Sequence, residues 1–437
     1  MRKLVFITII SVLSVFSSCD SFLNVQPKGM VEEGLMFNNT QGFCDAMYGV
    51  YAKMAKNELY GENLSYGFVD KIGQMFCYLN TNENDYYIVD HKYEDSRVRP
   101  KIDEIWLKQY EVILYVNNVI KHSEKTTLTD PIINLIKGEA YGLRAFLHFD
   151  IVRLFAESYK KNPQASGIPY SFSFDHKTKT VYSLKEVYGH ILSDLDKAEE
   201  ILKNDNTVNW SSSDLGYDVG RAVHFNKYAV YATKARVYYS MGDEKKASEY
   251  AQKVIDAKEN FELTFHAKFG DVKRFPAPKE MIFGLNREDL SKHVFDIFVT
   301  EHQGLSSGNI TEARKDLDEI FEISSFDATN NDVRYSTYYK KESRIHKFIR
   351  FVVDANEVNM NVLHGLTLIR LPEMYYILSE CSYDTDMNKS LEMLNAVRKS
   401  RGLKDLTLDK ISVKELFEKE IMNERIKEFA GEGQVFY

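Results

Sequence analysis

Apolar residues recur at spacings of three and four along several stretches of this chain, and this period is that of an α-helix. The clearest stretch covers residues 185–202, where the apolar positions are Val187, Ile191, Leu195, Ala198 and Leu202. Its charged residues fall largely outside that face, so the helix presents one apolar stripe. Because such a stripe must be buried against another element, the pattern predicts helices packed on helices.

A second stretch, residues 138–157, has a broader apolar surface. Three phenylalanines widen its stripe until the helix is apolar nearly all round: Phe146, Phe149 and Phe155. A helix of this kind is buried on all sides, so we expect it at the centre of the molecule.

Residues 224–257 predict a hairpin of two helices joined by a turn at Gly242 and Asp243. Small residues recur where the two helices would face each other: Ala229, Ala232, Ala235, Ala247 and Ala251. The unit of roughly 34 residues resembles a tetratricopeptide repeat, although the usual closing proline is absent. Residues 372–401 predict a second, looser copy.

Between these hairpins, residues 80–100 and 258–350 show no sustained helical period and predict long irregular loops. Loops on a rigid scaffold are where binding residues concentrate, so we expect the functional site there. The fold class is predicted to be mainly α with little β structure. Length alone leaves one domain or two open, and a single domain fits equally well because no linker divides the 437 residues.

Charges of both signs are interspersed along the chain. Lys and Arg number 56 against 64 Asp and Glu, which gives a net charge of -8. Binding to nucleic acid needs a concentrated basic face, so we expect no nucleic-acid partner.

The N-terminus predicts a signal peptide over residues 1–18. Two basic residues precede an apolar run over residues 4–16, which is followed by Ser17, Ser18 and Cys19. At ~1.5 Å per residue this run is too short to cross a hydrocarbon core of ~30 Å. Small residues directly before a cysteine resemble the lipobox of bacterial lipoproteins, so Cys19 is the predicted site of lipid attachment. The alternative is an ordinary secretory signal with an incidental cysteine.

The remaining residues offer no local catalytic signature. Cys44, Cys77 and Cys381 have no metal-ligand spacing and, being odd in number, predict buried small side chains and no disulfide framework. No HExxH, GxSxG, GxxxxGK[ST] or GxGxxG sequence occurs. We therefore expect no enzymatic activity, no cofactor and no metal. Two carboxylates brought together in space, as in a glycosidase, would leave no such signature, and that alternative stays open.

Several elements along the chain together resemble the SusD/RagB family of nutrient-binding outer-membrane lipoproteins. They include residues 106–117 (WLKQYEVILYVN), 138–155 (GEAYGLRAFLHFDIVRLF) and 423–433 (NERIKEFAGEG). Shorter elements lie at residues 19–29, 167–169, 194–198, 220–222, 368–373 and 394–398. The resemblance implies a single SusD-like domain over residues 19–437, with a helical scaffold of tetratricopeptide-like hairpins.

The resemblance also implies a function. A family member would be a non-catalytic lipoprotein on the surface of the cell outer membrane, anchored there by lipid. It would capture an oligosaccharide and deliver it to a SusC-like, TonB-dependent transporter. Two alternatives stay open, namely a family member that binds peptide and a repeat scaffold that binds only a protein partner.

The charged residues of the family elements have a structural interpretation. Glu139 and Arg144 lie on a mostly apolar helix, and Arg425 and Glu428 lie near the end of the chain. An unpaired buried charge is costly, so we predict that these charges are paired inside helix interfaces. They would mark the scaffold and not the ligand site.

The predicted ligand contacts come from two polar segments. In the segment from residue 66 to residue 87 they are Asp70, Tyr78, Tyr86 and Tyr87, and the second segment contributes Trp210. Rings of this kind stack on sugar faces, and polar side chains bind hydroxyl groups. The alternative for Tyr86 and Tyr87 is that they only cover a helix edge.

Overall fold

The structure is a computed structural model. It describes residues 33–77, 84–208, 216–269, 277–287 and 365–437, and shorter pieces between 289 and 345. Helices dominate these residues, and the strands occur as two-stranded antiparallel pairs. The predicted mainly α fold class is confirmed.

The elements of the described residues follow in chain order. The α-helices are α1 (Glu33–Met36), α2 (Thr40–Met54), α3 (Phe68–Ile72), α4 (Asn84–Val89), α5 (Arg99–Lys125), α6 (Pro131–Phe155), α7 (Leu184–Ile201), α8 (Lys227–Met241), α9 (Glu244–Ile255), α10 (His266–Phe269), α11 (Leu317–Ile320), α12 (Val333–Tyr338), α13 (Leu371–Ser382), α14 (Met387–Ser400) and α15 (Lys414–Phe429). The strands are β1 (Phe76–Cys77), β2 (Ser166–Pro169), β3 (Val181–Ser183), β4 (Met281–Asn286), β5 (Glu312–Ala313), β6 (Tyr339–Lys340), β7 (Arg344–Ile345) and β8 (Gly365–Arg370). They pair as β1 with β5, β2 with β3, β4 with β8, and β6 with β7.

The long helices form one continuous row. Helices α5 to α9 pack one against the next, then α9 packs against α13, which packs against α14. The chain between α9 and α13 leaves this row of helices and returns to it at one place. Strand β4 pairs with β8 there and sets Met281 opposite Arg370. The row of helices therefore continues directly from α9 to α13. Neighbouring helices in the row bury the apolar stripes that the sequence shows.

Helices α8 and α9 occupy the first segment for which the sequence predicts a hairpin. Gly242 forms the turn with φ of +80°, a conformation that favours glycine. Asn226 and Asp243 cap the two helices with their side chains. All five alanines of this hairpin are fully buried, namely Ala229, Ala232, Ala235, Ala247 and Ala251. Helices α13 and α14 occupy the second such segment.

Helix α6 lies at the centre, as its sequence predicts. Every residue from Gly138 to Val152 is buried, and α6 contacts α2, α5, α7 and α8. Neighbouring segments approach closely because two positions lack a side chain. A Cβ atom on Gly142 would lie 2.4 Å from the ring of Phe225, and one on Gly138 would lie 2.6 Å from Leu202.

The charges on α6 are paired inside helix interfaces, which confirms their predicted structural role. Arg144 donates to both carboxylate oxygens of Asp194 on α7, at 2.6 and 2.7 Å. Glu139 forms an ion pair with Arg221 and accepts a hydrogen bond from the hydroxyl of Tyr51 at 2.6 Å. The partners belong to other family elements, so these elements join one another across the core.

A second buried ionic cluster joins the C-terminal helix to the rest of the scaffold. Glu428 contacts Arg334, Arg370 and Arg401, and Glu280 contacts Arg370 and Arg401. Burial alone would raise the pKa of Glu428, but the three guanidinium groups hold that pKa well below its ordinary value. The cluster thus fixes α15 against β8 and the end of α14.

Candidate ligand-binding cleft

A cleft of about 630 Å³ opens between α3, the turn at residues 90–98, the start of α5, the end of α6 and the C-terminal segment. We call it the aromatic cleft. Its lining residues are Phe68, Ile72, Tyr93, Glu94, Arg99, Ile102, Asp103, Ile105, Trp106, Leu154, Phe155 and Phe436. This volume and this mixture of apolar and polar residues are typical of small-molecule sites.

Aromatic rings form much of the cleft wall. Tyr93 is 40% exposed and Phe436 is 38% exposed. Trp106 is partly buried, because its ring packs edge-on against Phe155 and lies near Tyr110, both with centroids at 5.0 Å. Trp106 is thus fixed by its neighbours, while Tyr93 and Phe436 keep exposed aromatic surface, and aromatic surface is what stacking on a sugar ring uses.

Three charged residues line the polar side of the cleft. The Nε of Arg99 lies 2.9 Å from Oδ1 of Asp103, one helical turn away, and its Nη1 lies 3.5 Å from Oε2 of Glu94. The hydrogen bond that Arg99 donates to Asp103 raises the pKa of Arg99. The guanidinium is therefore shared between two carboxylates that both face solvent.

The turn at residues 90–98 positions Tyr93 beside the cleft. His91 adopts a φ of +55° and donates from Nε2 to the carbonyl oxygen of Ile72 at 2.8 Å. Arg97 donates to both carboxylate oxygens of Asp95 at 2.8 Å. These contacts tie the turn to α3 and hold its own backbone together. Burial raises the pKa of Tyr93.

Tyr86 and Tyr87 lie next to this turn, on the short helix α4. Both are half-buried, and their rings meet edge-to-face with centroids 5.6 Å apart. The guanidinium of Arg97 covers the ring of Tyr87 at 3.3 Å. Neither ring lines the aromatic cleft. The prediction that residues 80–100 are irregular is wrong where α4 forms.

Asp70 has a different role from the one its sequence context suggests. It lies on α3 and is buried, and its two carboxylate oxygens accept the backbone N–H groups of Gly431 and Gly433. Phe68 and Ile72 of the same helix line the cleft. This geometry supports a structural role for Asp70 and not ligand contact.

The other residues predicted to be functional lie outside the described residues. These are Tyr78, Trp210 and Cys19, together with the signal segment 1–18. Cys44 and Cys381 are buried free thiols, as the sequence predicts. Burial raises the pKa of Cys44 to about 11 and that of Cys381 to about 12, which makes both poor nucleophiles.

A second cavity of about 690 Å³, the polar groove, runs between α6, α7, α8, α13, α15 and residues 434–437. Its walls carry scaffold ion pairs. Arg236 donates to both oxygens of Glu373 at 2.5 and 2.6 Å, and Arg425 pairs with Glu380. Paired charges line both cavities, and we take the aromatic cleft as the better candidate site because its wall combines the exposed rings of Tyr93 and Phe436 with the ring of Trp106.

The described part of the chain shows neither a candidate metal site nor a membrane-spanning helix. It holds no group of three or more His, Cys, Asp or Glu side chains that could bind a metal ion. None of its helices is long and apolar enough to cross a membrane.

Sequence reasoning missed the aromatic residues of the cleft. Tyr93 lies in the polar segment where binding was expected, so its ring was a visible signal. Trp106 and Phe155 belong to the family elements and read as scaffold residues. Nothing local marks Phe436, because only the fold brings it to residues near position 100.

Comparisons with known proteins give evidence on the family that does not depend on the cleft geometry. A family model described as "Starch-binding associating with outer membrane" matches residues 21–239, and a model described as "SusD family" matches residues 203–437. A curated relative, SusD-like protein P2 of Formosa agariphila, is 26% identical over 295 residues, or 64% of this chain. This chain spans about half of that relative's length, since the match covers 52% of it.

Solved structures share the fold. A SusD superfamily protein of Bacteroides thetaiotaomicron has a TM-score of 0.73 at 20% identity, covering 91% of this chain and 88% of that one. A SusD-like carbohydrate binding protein of Bacteroides vulgatus has a TM-score of 0.67 at 20% identity, covering 90% and 82%. A laminarin binding SusD-like protein has a TM-score of 0.65 at 17% identity, covering 91% and 89%. At these identities the likeness establishes the helical scaffold.

Proposed function

This chain belongs to the SusD/RagB family, and we propose that it is a non-catalytic lipoprotein of the cell outer membrane that captures an oligosaccharide. The aromatic cleft is the site of capture. The captured oligosaccharide then passes to a SusC-like, TonB-dependent transporter. One matching family model is described as associating with the outer membrane, which supports the location.

The observation that carries the proposal is the composition of the aromatic cleft. Tyr93 and Phe436 present exposed rings, and Trp106 presents a partly buried one. The carboxylates of Glu94 and Asp103 and the guanidinium of Arg99 line the same cleft. Stacking rings combined with polar groups are how proteins hold sugars. One structural neighbour is described as laminarin binding, and another as carbohydrate binding.

The transporter step comes from the family resemblance, and the proposed lipid anchor is compatible with it. A body held to the membrane by acyl chains on Cys19 can swing over a transporter while it stays attached. A ligand that contacts both partners stabilises the closed arrangement by its differential affinity. The aromatic cleft would then form one wall of the enclosed site.

A binding screen with two variants tests the proposal. Tyr93→Ala combined with Phe436→Ala removes two exposed rings, and we expect the affinity for an oligosaccharide from a mixed glycan and peptide array to fall about tenfold or more. Tyr115→Ala is the matched control, because Tyr115 is 38% exposed and lies outside the cleft. Circular dichroism and melting temperature verify that each variant folds. Unchanged glycan binding in the double variant would overturn the site.

The same array separates the alternatives. Peptide capture often adds a strand to a sheet edge, but the lining of the aromatic cleft contains no strand residue among the described ones. Peptide binding that the double variant loses would replace oligosaccharide with peptide as the ligand. Binding of neither class, with retained association to a transporter, would favour the scaffold alternative.

A further inference from the structure

We infer that the ligand of the aromatic cleft is a neutral oligosaccharide and not one that carries uronate or sulfate groups. This inference rests on the proposed function, because it assumes that the cleft binds a glycan. It concerns the charge of that glycan. The observations that carry it are the ion pairs at the cleft opening.

The charged side chains of the cleft lining are Glu94, Arg99 and Asp103, so acids outnumber bases there. Their side chains are 90%, 53% and 53% exposed. The single guanidinium is engaged by both carboxylates, at 2.9 Å from Asp103 and 3.5 Å from Glu94. An anionic ligand would have to compete with both acids for Arg99 and would meet their negative charge.

Two cations of the neighbouring turn, Lys92 and Arg97, are engaged by acids of that same turn. Lys92 pairs with Asp90 at 3.1 Å, and Arg97 pairs with Asp95 at 2.8 Å while it covers the ring of Tyr87. Each of these basic side chains is thus already neutralised by an acid close to it in sequence. The segment that forms this side of the opening therefore has no concentrated positive charge.

A neutral sugar fits the same groups. Among the described contacts, Asp103 engages Arg99 through Oδ1 and Glu94 engages it through Oε2. The second oxygen of each carboxylate is available to accept a hydrogen bond from a sugar hydroxyl. Because such bonds are charge-assisted, they strengthen binding without requiring any charge on the ligand. The exposed rings of Tyr93 and Phe436 supply the stacking surface.

A charge-changing variant tests this inference. Glu94→Gln combined with Asp103→Asn keeps the shape of the opening but releases Arg99 from its two acids. We expect the parent protein to bind neutral glucans and mannans at least about tenfold more tightly than alginate, polygalacturonate or sulfated galactans. In the double variant we expect weaker binding of the neutral glycans and stronger binding of the acidic ones. Glu200→Gln, which changes an exposed acid on α7 outside the lining, is the control.

The outcomes separate this inference from the proposed function. If the parent prefers an acidic glycan and loses it in Tyr93→Ala with Phe436→Ala, the site stands and the neutral class is wrong. If the double acid variant leaves the ratio of neutral to acidic affinity unchanged, the role of Glu94 and Asp103 is wrong. If no glycan of either class binds the parent, the proposed function and the inference fall together.

Discussion

Asp70 is hydrogen-bonded to Gly431, although the two residues lie 361 positions apart in the sequence. Its Oδ2 accepts the backbone N–H of Gly431 at 2.6 Å. Its Oδ1 accepts the N–H of Gly433 at 2.9 Å. Both glycines have positive φ, +81° and +66°, and together they turn the chain toward the cleft. Phe436 follows three residues later and lines that cleft. Asp70 is therefore a positioning residue for one wall of the proposed site.

Asp70→Asn should loosen this C-terminal turn. The amide retains one acceptor oxygen but presents an NH₂ group to the other backbone donor and loses the charge. We expect the free energy of unfolding to fall by about 1–3 kcal/mol, measured by urea denaturation. Asp90→Asn, an exposed acid, should change it by less than about 1 kcal/mol. Equal stability of the two variants would contradict the positioning role.

Asp70 shows why the site was harder to predict than the scaffold. Helix period is a local property, so the stripe on residues 185–202 and the alanines of the first hairpin were visible in sequence. Asp70 lies between Phe68 and Ile72, which do line the cleft. Its polarity indicated a ligand contact, but only the fold shows that it faces Gly431. Polarity and loop composition therefore located the region and missed the direction of the side chain.

The same limit applies to the ion pairs. The cost of buried charge predicts that Arg144 and Glu139 are paired. It does not identify Asp194 and Arg221 as the partners, because each partner lies on a different element. The aromatic cleft likewise joins residues from position 68 to position 436. No local pattern spans that distance.

Enlarging a buried alanine in the first hairpin should destabilise the protein. Ala232 on α8 and Ala251 on α9 are fully buried. Replacing either by Leu should lower the free energy of unfolding by about 1–3 kcal/mol, because the added atoms overpack the interface. Glu249→Leu, on the exposed side of α9, is the control for adding a leucine to this helix. Unchanged melting temperatures in both alanine variants would contradict close packing of α8 and α9.

The ion pair between Arg144 and Asp194 should show strong coupling. Removing one partner leaves the other charge buried, so Arg144→Met or Asp194→Asn should each cost about 3–5 kcal/mol of stability. The double variant should cost less than the sum. A double-mutant cycle by chemical denaturation measures this difference. The exposed pair of Lys203 and Glu200 should give a coupling below about 1 kcal/mol in the same cycle.

His148 should make the protein sensitive to mild acid. It is buried, its Nδ1 donates to the carbonyl oxygen of Arg144 at 2.8 Å, and its Nε2 accepts the N–H of Ser171 at 3.0 Å. Burial, with a further contribution from the charge of Arg144, lowers its pKa from 6.5 to about 3. The folded protein therefore favours the neutral ring.

The sign of the effect follows from proton binding. Between pH 6.5 and about 3 the unfolded chain binds a proton at His148 that the folded protein does not bind. Stability is therefore lost as the pH falls through this range, by up to about 1.4 kcal/mol per pH unit. His148→Gln should show a shallower loss than the parent in urea denaturation between pH 6.5 and 4. The exposed His176→Gln should follow the parent, and equal slopes in all three proteins would refute the assignment.

Acylation of Cys19 is the step on which the membrane location depends. The residue lies outside the described part of the structure, and the prediction rests on Ser17 and Ser18 directly before it at the end of the apolar run. Several acyl chains, at ~0.8 kcal/mol per buried methylene, anchor a protein firmly where one chain does not.

Metabolic labelling with a clickable palmitate tests this prediction in cells. We expect the parent to carry label and to sediment with membranes. Cys19→Ala should lose the label and leave the membrane fraction. Cys44→Ala, which removes a buried free thiol, should keep both properties. Label that persists on Cys19→Ala would place the lipid elsewhere. An unlabelled parent would favour the secretory alternative, in which the cysteine is incidental and the cleft would meet its ligand free in solution.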